Sequence, residues 1–232
     1  MRKKNSAFTL IEMVVVMTII VILSGLVVAV VGYVNRKSAM TRASTEIATF
    51  LNACQNYKAD AGRYPQDTQI VTGANNKATF TPGDTDKLKP KEHLVPTSSE
   101  YSNAGKYLYQ QLTGDKSLDG IPDDGEPVYL KDFDSRMLKA DRDVTGKIIK
   151  VYCFWDPFGY PYGYSTAAML EEQKYQAGLK EGSVPTRPTG VALPGFNLTT
   201  FDLWSTAGNK PNPAPTSDIA KESEQAKWLK NW

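Results

Sequence analysis

Between Met13 and Val34 the chain runs for 22 residues without a charged side chain. A helix rises 1.5 Å per residue, so this stretch covers roughly 33 Å, enough to cross a hydrocarbon core of about 30 Å. The segment is therefore expected to anchor the chain in a membrane near its N-terminus. Arg2, Lys3 and Lys4 precede it in the leader MRKKNSA and place the N-terminus on the cytoplasmic side; Arg36, Lys37 and Arg42 on the far side soften that asymmetry. The apolar stretch is too long for the h-region of an ordinary secretory signal. The chain beyond the anchor is expected to face the exterior or the periplasm.

One residue disturbs the pattern. Glu12 stands four positions after Phe8 at the start of the apolar run, where an ionised carboxylate costs on the order of 2.5–3.5 kcal/mol if it ends at mid-bilayer. Two accounts remain open at this level. A new N-terminus at Phe8 would supply an amine to neutralise Glu12 in the same or a neighbouring chain, or Glu12 simply snorkels at the membrane face beside Lys3 and Lys4.

These residues carry a resemblance. Lys3-Lys4, a small residue, then Phe8-Thr9-Leu10-Ile11-Glu12 and a long apolar helix resemble the class III signal of type IV pilins and type II secretion pseudopilins. The resemblance implies cleavage between Ala7 and Phe8 by a prepilin peptidase, N-methylation of Phe8, and a role for Glu12 in guiding filament assembly. Ala7 stands where the family usually has Gly. It also implies an α+β, pilin-like fold, a long N-terminal helix packed on a small antiparallel sheet. The chain then divides into a leader at 1–7, a membrane and filament-core helix at 8–34, and a periplasmic globular domain at 35–232.

With 232 residues, close to 200 remain beyond leader and anchor, ample for one soluble domain with a real core. Basic and acidic residues number 27 and 25, with no surplus that would suggest a nucleic-acid partner. Past the anchor, Met40, Ala43, Ile47, Phe50, Cys54, Tyr57 and Ala61 recur in steps of three and four, the mark of a helix with one buried stripe. No proline interrupts Phe8 to Arg63, so one helix of about 53 residues is expected, ended by Gly62 and kept from resuming by Pro65. Gly25 and Gly32, seven apart on one face, suit close helix packing or simply reflect membrane-helix composition. The segment Tyr57-Lys58-Ala59-Asp60-Ala61-Gly62-Arg63-Tyr64-Pro65 resembles an element of the major pseudopilin of type II secretion, and is read as structural, with Asp60 able to pair with Arg63.

Residues 66–98 are polar and turn-rich and predict a long loop with a short helix near Thr85–Leu88. His93 lies there without Cys or carboxylate neighbours at ligand spacing and reads as a surface residue. A second helix is expected from Ser99, stopped by Gly114. The twelve residues 115–126 then fit an EF-hand calcium loop. Side-chain oxygens fall at positions 1, 3, 5 and 9 (Asp115, Ser117, Asp119, Asp123), Gly120 at 6, the Ile121 carbonyl at 7 and Glu126 at 12. Pro122 and the strand-like Val128–Leu130 depart from an EF-hand, so the loop reads either as an isolated structural calcium site or as an acidic, solvated turn.

Val128–Leu130, Ile148–Trp155, Tyr160–Tyr164 and Phe201–Trp204 read as short strands of one antiparallel sheet across the long helix. Helices are expected at Ala167–Lys180 and Asp218–Leu229, the latter capped by Ser217. The hairpin Trp155–Tyr162 and the stretch Phe201–Gly208 are again similar to major pseudopilins. The family's acidic calcium loop would come next, but Asn209–Pro215 holds no carboxylate, which leaves 115–126 as the calcium candidate. Cys54 and Cys153 fall on helix and strand, and either form a disulfide across that interface or stay as buried thiols.

No catalytic motif is present: no nucleophile elbow, no phosphate-cradling glycine loop, no zinc spacing. The resemblance implies a non-enzymatic pseudopilin that self-associates into a helical filament with minor pseudopilins and an inner-membrane assembly platform. The alternatives are a type IV pilus pilin and an anchored calcium-binding or enzymatic domain that does not polymerise.

Overall fold

The computed structural model of the chain describes residues 9–73, 77–187, 189 and 193–232, excepting the side chains of residues 28 and 29. Helix α1 runs unbroken from Leu10 to Ala61. It ends as its sequence predicts. Gly62 takes the left-handed conformation at φ +72° and its N–H closes on the Lys58 carbonyl at 2.9 Å, a terminus that only a residue without Cβ adopts cheaply. The chain divides into two units, one up to Thr41 and a compact one from Arg42 to Trp232.

In the N-terminal unit α1 carries the apolar run as bare helix. In the compact unit its second half buries Ala43, Ile47, Phe50, Ala53 and Cys54, the 3.6-residue stripe read from the sequence. The stripe stops earlier than expected, since Ala61 is exposed. Phe50 is its centre, with its ring 4.6 Å from Phe154 and edge-on to Tyr162 at 5.2 Å.

The β portion departs from the expected single sheet. Among the described residues three small antiparallel sheets form instead: β1 (Gln69–Thr72) with β2 (Ala78–Thr81), β3 (Leu138–Arg142) with β4 (Ile148–Phe154), and β5 (Gly163–Ser165) with β6 (Asp202–Ser205) and β7 (Leu229–Lys230). Val128–Leu130 is not a strand. The N–H groups of Tyr129 and Leu130 both donate to the Leu112 carbonyl at 2.8 Å, so this segment covers a helix end rather than joining a ladder. The β1–β2 hairpin falls in the stretch expected to be loop, its polar threonines and glutamine hiding the alternation.

Helix α2 (Asp84–Lys87), α3 (Ser99–Thr113), α4 (Ala167–Lys180) and α5 (Asp218–Gln225) agree with the sequence reading, α5 being shorter at its end. Gly114 stops α3 at φ +71°, and the Ser217 hydroxyl accepts the Ala220 N–H as the cap of α5. A second apolar cluster joins α3 to the C-terminus. Trp204 stacks on Trp228 with centroids 5.6 Å apart and meets Tyr101 and Trp232 edge-on, while its indole N–H donates to the Tyr101 hydroxyl at 3.0 Å. Gly163 makes room for this ring, since a Cβ there would run into the Trp204 indole.

Cys54 and Cys153 are free and buried, so the unbridged alternative is the one this structure holds. Cys153 packs on α3, its Cβ 3.1 Å from where a Cβ on Gly105 would stand. Burial pushes its thiol up to about 12, and that of Cys54 further still.

Candidate functional site

The first turn of α1 is a capping box. Thr9 donates through both its backbone N–H and its hydroxyl to Glu12 Oε2, each at 2.8 Å, and the Glu12 N–H returns to Thr9 Oγ1 at 3.3 Å. Reciprocal bonds of this kind satisfy N–H groups that a helix start leaves without partners, and the positive end of the helix dipole favours a carboxylate there. Glu12 is thus held at the helix start rather than extended along it. The Ala7–Phe8 junction lies outside the described residues.

Beyond Glu12, every large apolar side chain described between Met13 and Val34 is exposed, from Val16 at 48% to Tyr33 at 73%. Gly25 and Gly32 have no heavy atom within 4 Å of an added Cβ. Thr18 satisfies its hydroxyl within the helix, Oγ1 donating to the Val14 carbonyl at 2.8 Å. The helix is long and apolar enough to cross a membrane. An uncovered apolar surface of this extent requires lipid or other helices around it.

The far end of α1 is built from the tyrosines flagged in the sequence. The Tyr57 ring meets Tyr129 edge-on at 5.2 Å, Tyr64 meets Phe201 at 5.0 Å, and the Lys58 ammonium lies 4.4 Å over the Tyr64 ring. The Tyr164 hydroxyl donates to the Pro65 carbonyl at 2.6 Å, tying the turn to β5. Asp60 and Arg63 are not an ion pair among the described residues; burial and the nearby Asp60 carboxylate raise the Tyr129 phenol above its ordinary value. His93 is half-buried, and its Nδ1 accepts the Lys89 N–H at 3.0 Å in a turn-closing role.

The loop 115–126 gathers its bonds inward. Asp115 is fully buried and accepts from the N–H groups of Leu118, Asp119 and Gly120, from Ser117 Oγ and from the Tyr109 hydroxyl, at 2.6–3.2 Å. Asp123 accepts from the N–H groups of Lys116 and Ser117, Asp119 from that of Ile121, and Glu126 lies 3.7 Å from the Lys116 ammonium. No three His, Cys, Asp or Glu among the described residues gather as a metal cluster. In this arrangement Asp115, Ser117, Asp119, Ile121, Asp123 and Glu126 bond to the loop backbone, to one another or to Lys116.

Comparison with known proteins adds two findings. The family model described as the prokaryotic N-terminal methylation motif matches residues 2–28. The chain is also 36% identical over 81 residues to the type II secretion system core protein G of Aeromonas hydrophila, a match covering 35% of this chain and 57% of that one. It therefore spans little more than half the length of that curated relative. No solved structure gives a significant match. Both similarities are in keeping with the α+β, pilin-like architecture.

Within the methylation motif, sequence reasoning singled out Glu12 for its cost in a membrane and missed its bond to Thr9. The signal was present, since Thr9-Leu10-Ile11-Glu12 has capping-box spacing ahead of an apolar run. Glu46 was also missed. It is 9% exposed beside the buried stripe, accepts from the Tyr162 hydroxyl at 2.6 Å and pairs with Arg42 at 3.5 Å. Burial raises its carboxyl above the ordinary glutamate value. No local signal could have located its partner, 116 residues away.

Proposed function

We propose that the chain is a pseudopilin subunit of a type II secretion system. It is held in the inner membrane by α1, with its N-terminus cytoplasmic and its compact domain periplasmic. A prepilin peptidase removes residues 1–7, Phe8 is N-methylated, and the subunits polymerise through α1 into a periplasmic filament that drives protein export. Minor pseudopilins and the inner-membrane assembly platform are its partners.

The observation that carries this reading is the match to the methylation motif on a helix whose described large apolar side chains are uncovered from Met13 to Val34 and whose first turn holds Glu12. In a row of such helices, a methylated Phe8 amine is a cation of the right sign and position to meet Glu12 of a neighbour. Charge pairing removes the cost of an isolated carboxylate in an apolar bundle.

The intact mass of the protein from its native membrane tests the first step. A chain starting at methylated Phe8 is expected; a chain retaining Met1–Ala7 would refute processing. Glu12→Ala is expected to leave the protein folded and membrane-inserted while reducing filaments, counted by electron microscopy, at least tenfold. Normal filaments from that variant would defeat the charge-pairing account.

A further inference from the structure

The compact unit carries an open groove of about 1120 Å³ between the end of α1, the β1–β2 hairpin and α4. Its apolar lining comes from Tyr64, Ile70, Phe80, Met169 and Leu198, beside the polar Gln173 and Gln176. Ile70 and Phe80 are direct cross-strand partners, so their side chains share one face of the hairpin. Ile70 is nonetheless 49% exposed. A two-stranded ribbon standing alone is marginal in water, and an apolar pair on it that is half-buried at Phe80 and exposed at Ile70 marks a surface that something covers.

The rim is cationic. Lys58, Arg63, Lys77 and Lys180 line it and all four are exposed. The two carboxylates of the lining are already engaged: Glu172 pairs with Arg187 at 2.5 Å, and Glu181 accepts the Ala78 N–H at 2.7 Å. The occupant that fits is an apolar tip flanked by acids.

The same chain presents such a tip elsewhere. Loop 115–126 carries Ile121, 57% exposed, with Asp119, Asp123, Asp124 and Glu126 around it. None of its residues lines the groove. The loop is stiff: Asp115 cradles its backbone, the Val151 N–H donates to the Leu118 carbonyl at 2.7 Å, and Gly120 packs against Ile148. A pre-organised loop loses little freedom on docking.

We propose that loop 115–126 of one copy seats its Ile121 tip in the groove of a second copy, its carboxylates facing Lys58, Arg63, Lys77 and Lys180. Two different surfaces of one chain meet in this contact, which makes it head-to-tail, and a head-to-tail contact that does not close on itself propagates a filament. The inference rests on the proposed filament assembly and names a contact made by the compact domains in addition to that of α1.

Co-expression of two full-length, differently tagged chains tests it, one carrying Ile121→Cys and the other Ile70→Cys. Mild oxidation in membranes is expected to give mixed-tag dimers at least tenfold above either variant expressed alone with wild type; native Cys54 and Cys153 are buried and give little background. Asp124→Lys is expected to cut the cross-link at least fivefold, and Lys77→Glu in the other chain to restore it. Both positions are exposed, and circular dichroism checks that each variant is folded. Wild-type filaments without a mixed-tag cross-link would overturn this inference and leave the assembly reading standing. If wild type forms no filaments and the pair gives no cross-link, both fail.

Discussion

Asp202 shows how a single residue's setting decides its chemistry. It is 1% exposed, and its two oxygens accept the N–H groups of Phe196 at 2.8 Å and Asn197 at 3.0 Å. Burial outweighs these bonds and raises its carboxyl to about 6. The fold therefore binds this proton more tightly than the unfolded chain does. The resulting stabilisation is fully present below an unfolded value near 4 and is lost as pH rises through about 6, amounting to about 3 kcal/mol. Urea unfolding of wild type and Asp202→Asn is expected to show the wild type losing ground to the variant between pH 4 and 7; parallel pH curves would reject the assignment. In the sequence Asp202 is one acid in a strand-like run, and nothing local marks it as buried. Glu46 is the same case on a helix, whereas Glu12 was legible because its neighbours along the chain already make its environment.

At the scale of elements, loop 115–126 shows how one spacing serves two chemistries. Oxygens at alternate positions around Gly120 suit a cation, and they equally suit carboxylates that accept nearby backbone N–H groups, as Asp side chains do in turns. Here the peptide N–H groups point at Asp115 and Asp123. Asp115→Asn is accordingly expected to destabilise the detergent-solubilised protein by about 2–3 kcal/mol, and Glu126→Gln by under about 0.5 kcal/mol, in calcium and in chelator alike. A calcium-dependent rise in Tm that Glu126→Gln abolishes would restore the cation. Helices were the legible elements: α1, α3 and α4 carry period and stop signals within their own residues. The β1–β2 hairpin and β3 were not, because four- and five-residue strands with polar or charged members show little alternation, and their pairing comes from the partner strand.

For the whole molecule, the two units rest on different supports. The compact unit from Arg42 onward has its own cores around Phe50 and Trp204, whereas the apolar side chains described between Leu10 and Val34 are all exposed. A fragment beginning at Asn35 is expected to stay soluble without detergent and to unfold cooperatively in urea, and the full chain to partition into the detergent phase. A fragment that aggregates or lacks a cooperative transition would show that the compact unit depends on the apolar helix. The sequence by itself determined the apolar helix, its continuation as a one-sided stripe, its stop at Gly62 and the methylation motif, because each is written in residues a turn or two apart. Only the tertiary structure decided that the strands of the described residues form three sheets, that Trp228 stacks on Trp204, that Glu46 meets Tyr162 and that both cysteines stay free. Those outcomes depend on which distant surfaces come into contact, and the free energy that selects them lies in burying apolar area and satisfying buried polar groups across the fold.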